Sequence, residues 1–235
     1  MTWAWFFDID GTLVEIAPSP DRIVVHRDMP PLIRNLHELT GGAVALITGR
    51  SIADVDLVLP LRKMAIAGQH GLEVRSADGT MSMHRVRSGN LSQVRLQLHD
   101  AVARHAGLMA EFKGLSIALH YRHAPQLAGY AHRLMRSLRS RYVPDFTIQK
   151  GKRVVELKPA GTDKGVAIEE LMLDPPFAGR IPVFIGDDAT DEHGFKVVNR
   201  MEGHSVKIGP GRTHARWRLR DVESLREWLK TGMDS

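Results

Sequence analysis

The chain's strongest constraint lies at its start. An apolar, aromatic run of strand type, Trp3-Ala4-Trp5-Phe6-Phe7, ends abruptly in Asp8-Ile9-Asp10-Gly11-Thr12-Leu13. In an open α/β sheet, ligands bind at the carboxyl ends of the strands. Period-two alternation sends Asp8 and Asp10 the same way if the strand persists through them. A bend at Gly11 then brings both carboxylates to one point. The competing reading is an acidic turn after a buried strand, because Asp-Gly is a common turn dipeptide.

The rest of the chain supplies the sheet. Apolar residues at 32, 33, 36 and 39 have helical spacing. Ala43 to Ile47 is a continuous apolar run, as expected of a parallel strand covered on both faces. It ends in Thr48-Gly49-Arg50, and Ser51 is placed to cap a following helix. Met64 to Ala67 is a further short strand, ending in Gly68-Gln69-His70-Gly71. Later, Lys164 to Leu173 reads as a helix, and Ile181 to Ile185 as a buried strand that ends in Gly186-Asp187-Asp188. A helix over Asp191 to Asn199, a strand over Ser205 to Ile208 and a helix over Val222 to Leu229 close the pattern. Alternating strands and helices predict a doubly wound, Rossmann-like parallel sheet.

Between these halves the pattern changes. Asp78-Gly79 signals a hairpin, and a compact α-β-β-α-β-β module follows. Its helices span 91–105 and 127–142; its strands span 108–113, 115–121, 145–149 and 153–158. Charge marks the same division. From His84 to Lys158 there are 14 Lys and Arg against 4 Asp and Glu, a net of +10. The remainder carries 18 against 23, a net of −5. An acidic part suits a divalent cation and a basic part an anionic substrate. The expected organisation is a core of 1–83 and 159–235 with an inserted α+β cap, 84–158.

Composition removes other classes. With no cysteine, disulfides, thiolate metal sites and thiol nucleophiles are excluded. The absence suits a cytoplasmic protein. No apolar run is long enough to span a bilayer, and the N-terminus shows no secretory pattern. The basic segment has little aromatic interleaving for base stacking, so no nucleic-acid role is expected. Nor is a membrane role or an obligate protein partner. The arginines at 133, 136, 139 and 141 read as a solvated helix face, and Trp217 and Trp228 as packing residues.

Asp8/Asp10, Thr48, Lys164 and Asp187/Asp188 all fall at strand ends or adjacent helix starts. A carboxylate can attack phosphorus, and a second one two residues on can exchange protons with the leaving alcohol and water. Asp8, Asp187 and the main-chain carbonyl of Asp10 offer oxygen ligands to Mg²⁺, the expected cofactor. Thr48 and Lys164 have the types needed to clamp a phosphoryl group.

In this order, the motifs resemble those of the haloacid dehalogenase (HAD) superfamily of phosphatases, and the inserted module resembles its C2-type cap. The resemblance implies Asp8 as nucleophile, Asp10 as general acid and base, and Asp187 on the metal. Thr48 and Lys164 would hold the phosphoryl group, with Asp188 and Asp191 orienting the metal site. Gly68-Gln69-His70-Gly71-Leu72-Glu73, Glu111-Phe112-Lys113, His120-Tyr121-Arg122 and Val155-Glu156-Leu157-Lys158-Pro159 narrow the likeness to the trehalose-6-phosphate phosphatase family. That likeness implies substrate contacts at Thr48, Gly49, Arg50, Gln69, His70, Glu111, Lys113 and Glu156. Another sugar phosphate, such as sucrose phosphate or mannosyl-phosphoglycerate, and a regulatory module that binds without turnover are the alternatives.

Overall fold

The computed structural model describes residues 2–16, 23–61, 64–84, 90–113, 115–151 and 153–233, without the side chains of Lys113 and Met233. The chain divides into two compact units, one of residues 1–84 with 162–235 and one of residues 85–161.

The first unit opens with β1 (Trp3–Phe7), α1 (Met29–Leu39), β2 (Val44–Ile47), α2 (Ile52–Val58) and β3 (Ala65–Gly68). A hairpin of β4 (Glu73–Arg75) and β5 (Met81–Met83) follows, turning at Asp78, whose carboxylate accepts from the Thr80 amide. The second unit comprises α3 (Leu91–Arg104), β6 (Met109–Lys113), β7 (Ser116–His120), α4 (Ala128–Tyr142), β8 (Phe146–Gly151) and β9 (Val154–Pro159). The first then resumes with α5 (Lys164–Leu171), β10 (Ile181–Gly186), α6 (Asp191–Arg200), β11 (His204–Ile208), β12 (Trp217–Leu219) and α7 (Val222–Met233).

The first unit's sheet has the order β12-β11-β10-β1-β2-β3-β4-β5. It is parallel from β12 through β3, and β4 and β5 extend it antiparallel. Period two divides β1 between two cores. Trp5 and Phe7 pack with Ile33 of α1 and Leu225 of α7; Ala4 and Phe6 pack with Ile168 of α5 and Phe195 of α6. Strands buried on both faces read as continuous apolar runs, which is why these were visible in the sequence. Ser51 caps α2 through the Asp54 amide. Each fully buried Phe or Leu contributes roughly 1.5–3 kcal/mol by leaving water.

The second unit is a four-stranded antiparallel sheet, β6-β7-β9-β8, with Ile117, Leu119, Val155 and Leu157 packed on Val94 of α3 and Met135 of α4. On α4, Ala131, Met135 and Leu138 are buried and the arginines at 133, 136 and 139 exposed, as helical spacing requires.

Two details depart from the sequence reading. The strand β12 was not anticipated, because three residues at a sheet edge carry too short a pattern. Trp217, read as packing, is 62% exposed. No helix among the described residues is long and apolar enough to cross a membrane.

Candidate active site

β1 lies between β10 and β2, and the chain winds outward from it in both directions. The boundary between β1 and β10 is therefore the topological switch point, where an open α/β sheet leaves a crevice beyond its carboxyl ends. Asp8 follows β1 and Asp187 follows β10 at that crevice.

The strand does not persist through both aspartates. β1 stops at Phe7, and the chain bends so that Asp10 bridges to Val14 and the Gly11 amide donates to the Val14 carbonyl at 2.7 Å. Gly11 has φ +82°, and a Cβ there would sit 2.2 Å from Asp187 Oδ2. Only glycine meets both the left-handed backbone and the close approach of Asp187.

Lys164, the first residue of α5, is a buried cation that touches two carboxylates of the site. Its Nζ lies 2.7 Å from Asp8 Oδ1 and 2.6 Å from Asp191 Oδ1. The helix start is fixed by Asp163, which accepts from the amides of Gly165 and Val166 and contacts His193 at 2.9 Å. Asp191, fully buried on α6, uses its other oxygen to accept from the amides of Asp187 and Asp188, both at 2.9 Å. Asp191 therefore orients both the lysine and the loop after β10. A side chain at Gly186 would collide with it, since a Cβ there meets Asp191 Cγ at 2.3 Å.

Carboxylate oxygens of Asp8, Asp187 and Asp191 come within 4.8 Å of one another. Burial, then the Asp191 charge, pushes the Asp8 carboxyl well above its usual range against the pull of Lys164. Burial with Asp191 and Asp188 pushes Asp187 up to about 7. Burial also raises Asp191, with Lys164 opposing. Burial works against the Lys164 charge, but Asp191 and Asp8 outweigh it and keep the ammonium protonated. Asp188 falls below its usual range because Lys164 and hydrogen bonds from Thr190 outweigh burial. The cluster thus has more buried negative charge than one lysine neutralises. Its donors are all oxygen, which fits a hard divalent cation. Asp191 belongs to this cluster although the sequence placed it as an orienting residue; its oxygens are engaged by Lys164 and two amides. Asp10 does not contribute its carboxylate to the cluster.

Asp10 is held instead by Arg50. The guanidinium donates through Nε to Oδ2 at 2.6 Å and through a terminal nitrogen to Oδ1 at 2.7 Å, a bidentate fork. Thr48, buried at the end of β2, accepts from the Arg50 amide at 3.1 Å. Gly49 lets His70 come close, since a Cβ there would meet His70 Nε2 at 2.8 Å. Gln69 and His70 have φ of 47° and 58°, uncommon for residues with a Cβ and a sign of a conformation imposed by its surroundings. Gln69 is fixed through its amide to the Arg50 carbonyl at 2.7 Å and through its side chain to Glu73 at 3.0 Å. Glu73 also accepts from the Ile52 amide, tying the start of α2 to β4.

The remaining expected residues lie on the second unit. The register Glu111↔Ala118↔Glu156↔Gln149 puts three polar residues in one row across the sheet, on the face opposite its packed helices. Glu111 meets His120 at 2.8 Å, and Glu156 and Lys158 are buried. The side chain of Lys113 lies outside the described residues.

Four residues were given no site role from the sequence, although Glu73 and Asp163 stand in the motifs that carry the resemblance. Lys207, a buried lysine between Val206 and Ile208 of β11, donates to the Asp187 main-chain carbonyl. A lysine in a continuous parallel strand was the available signal. Asp163 was legible as a cap, whereas Glu73 and Gln149 depend on long-range pairing.

The trehalose-phosphatase family profile matches residues 6–223. The chain is 44% identical to the trehalose-6-phosphate phosphatase of Escherichia coli K12 over 228 residues, covering 97% of this chain and 85% of the relative. Among solved structures, it resembles the C-terminal domain of the C. albicans trehalose-6-phosphate phosphatase with a TM-score of 0.85 at 20% identity, covering 99% and 92% of the two chains. A B. subtilis haloacid dehalogenase-like hydrolase superposes with a TM-score of 0.68 at 14% identity, covering 98% and 99%. Both likenesses show the fold alone, an α/β architecture that the chain shares with a haloacid dehalogenase-like hydrolase.

Proposed function

Because the chain belongs to the trehalose-phosphatase family, we propose that it hydrolyses trehalose 6-phosphate to trehalose and phosphate, with Asp8 as the nucleophile. The protein is a phosphoric monoester hydrolase. The observation that carries the assignment of roles is the convergence of Asp8, Asp187, Asp191 and Lys164 at the switch point of the sheet.

Asp8 attacks phosphorus and forms an aspartyl phosphate while the bond to the sugar oxygen breaks. Asp10 gives that oxygen a proton. Water then attacks phosphorus, Asp10 takes its proton, and phosphate leaves a free Asp8. Both Asp10 oxygens are engaged by the Arg50 fork, so Asp10 has to leave it to reach the leaving oxygen. An arriving phosphate competes for the guanidinium, draws Arg50 onto the substrate and releases Asp10. Lys164 and Thr48 stabilise the transferring phosphoryl group, with Gly49 allowing close approach. Asp8, Asp187 and the Asp10 carbonyl would hold Mg²⁺, which when bound would supply positive charge offsetting that of the carboxylates and of an anionic substrate. Asp188 and Asp191 orient that site.

In this reading 84–158 is the cap inserted between the core segments 1–83 and 159–235. Glu111, Lys113 and Glu156 recognise the disaccharide hydroxyls, and Gln69 and His70 are further substrate-binding residues near the hinge. The one-face row containing Glu111 and Glu156 supports that role. The cysteine-free composition supports a cytoplasmic setting. The exposed arginines of α4 lack interleaved aromatics, so neither nucleic acid nor membrane is a proposed partner.

Phosphate release from trehalose 6-phosphate, sucrose 6-phosphate, glucose 6-phosphate and mannosyl-phosphoglycerate, with and without Mg²⁺, tests the proposal. A Mg²⁺-dependent preference for trehalose 6-phosphate is the expected result. Preference for another ester would discard the sugar assignment, and no release from any would discard catalysis.

Two substitutions separate the parts. Glu156→Ala is expected to lower kcat/KM for trehalose 6-phosphate about 100-fold or more and leave p-nitrophenyl phosphate within a few-fold. Equal losses on both would remove Glu156 from the sugar site. Lys207→Met frees the Asp187 carbonyl and is expected to raise the Mg²⁺ concentration for half-maximal activity about tenfold. Its kcat at saturating Mg²⁺ should change little; an unaltered Mg²⁺ requirement would mean that the Lys207 contact does not position the metal ligand.

A further inference from the structure

One carboxylate oxygen joins the two turns that carry Thr48, Arg50, Gln69 and His70. Oε1 of Glu73, on β4, accepts from the Ile52 amide at 2.8 Å and from Gln69 Nε2 at 3.0 Å. The first donor lies two residues after Arg50, in the first turn of α2, where amides have no partner within the helix. The second belongs to the turn after β3. Its main chain holds the other turn directly: the Gln69 amide donates to the Arg50 carbonyl at 2.7 Å, and the His70 amide to the Thr48 carbonyl at 2.9 Å. These contacts close a ring that runs from Arg50 to Ile52, across Glu73 to Gln69, and back to Arg50.

Gly68 leaves the room for this ring. It stands opposite Glu73 in the β3–β4 register, and a Cβ on it would come 2.9 Å from Glu73 Oε1 and 3.0 Å from the Arg50 carbonyl oxygen. Its backbone is extended, with φ −90° and ψ 163°, which residues with a Cβ also adopt. Space, not backbone freedom, is what glycine supplies there. Gln69 and His70 carry the strain instead, and their left-handed conformations persist only where the surroundings over-determine them. Glu73 is the side chain that completes that restraint.

We infer that Glu73 is a positioning residue for phosphate recognition, acting through the two turns and not on the substrate itself. The inference rests on the reading that Thr48 and Arg50 hold the phosphoryl group. Both of their carbonyls are held by the Gln69–His70 turn, and Glu73 fixes that turn and the residue two places beyond Arg50 with the same oxygen. The main chain on either side of the Arg50 side chain is thereby pinned, so the guanidinium is delivered to one place. A clamp held in this way meets the phosphoryl group without first having to be ordered.

The test reads KM and kcat for trehalose 6-phosphate and p-nitrophenyl phosphate, and the inhibition constant of inorganic phosphate, at saturating Mg²⁺. Glu73→Leu removes the acceptor and is expected to raise both KM values and the phosphate constant about tenfold. Gly68→Ala displaces the carboxylate from its two donors and should do the same. Glu73→Gln keeps an oxygen acceptor and should restore all three constants to within about threefold of the parent. A merely structural loss reads differently, because fewer folded molecules lower kcat and leave KM and the phosphate constant unmoved. That pattern in Glu73→Leu, or equal damage in Glu73→Gln, would overturn the inference. Arg50→Met is the reference. Weakened phosphate binding by Arg50→Met beside parent-like binding by Glu73→Leu would overturn the inference alone; parent-like binding by both would overturn the reading of Arg50 with it.

Discussion

Asp8→Asn is expected to reduce turnover of trehalose 6-phosphate by about 10⁴-fold or more while binding of the ester persists. The amide nearly matches the carboxylate in shape, so the buried position after β1 can still be filled. What disappears is the nucleophile. An asparagine oxygen does not form the aspartyl phosphate, and no neighbouring group takes over: Asp191 is engaged by Lys164 and two amides, and Asp10 serves the leaving oxygen as its acid. The substitution also removes one buried negative charge from a cluster whose carboxyls burial and mutual repulsion already push upward. The metal-free variant is therefore expected to be no less stable than the parent, which separates a catalytic loss from a folding loss. Single-turnover measurement with labelled ester reads the chemistry directly. Residual hydrolysis within tenfold of the parent would remove Asp8 as nucleophile.

The parts of the fold that sequence exposed are those whose signal is local. Val44 to Ile47 and Ile181 to Ile185 are continuous apolar runs because both faces of a parallel strand are covered. Glycines and capping residues marked where those strands end, and Asp8, Thr48, Asp187 and Asp188 are read off those same boundaries. Their convergence follows from strand order, which alternating strands and helices strongly limit. What stayed hidden is what two distant segments decide together. The Asp10–Arg50 fork joins residues 40 apart, and nothing near either one indicates it. The left-handed backbone of Gln69 and His70 is imposed by contacts to Arg50, Thr48 and Glu73 rather than by residue type. Lys207 drew no reading from sequence because β11 is short, yet it is 5% exposed and reaches the loop carrying Asp187. β12 likewise depends on which strand forms the edge of the sheet.

Lys164→Met should lower both turnover and stability, and the second effect identifies what the lysine does before any substrate arrives. Methionine fills much the same volume but leaves Asp8 and Asp191 buried without the ammonium that touches both. Removing one partner of a buried ion pair costs about 3–5 kcal/mol, which lowers the melting temperature by on the order of 10 °C in a chain of this size. The loss should shrink as pH falls from 8 to 5, measured with EDTA present. Lys164 itself has a raised folded pKa, so its stabilising charge is fully present throughout that range. The carboxyls set the dependence. Their folded pKa values are already above the unfolded ones and rise further without the lysine. The native variant then binds protons that the unfolded chain has lost, and its stability falls as pH rises. As the pH falls the carboxyls accept protons and the unpaired charge is relieved. Turnover should fall about 10³-fold, because the phosphoryl group loses its buried cation. A variant that melts with the parent at pH 8 would show that the ion pairs are not what holds the cluster together. A variant equally unstable at both pH values would place the loss in packing instead of charge.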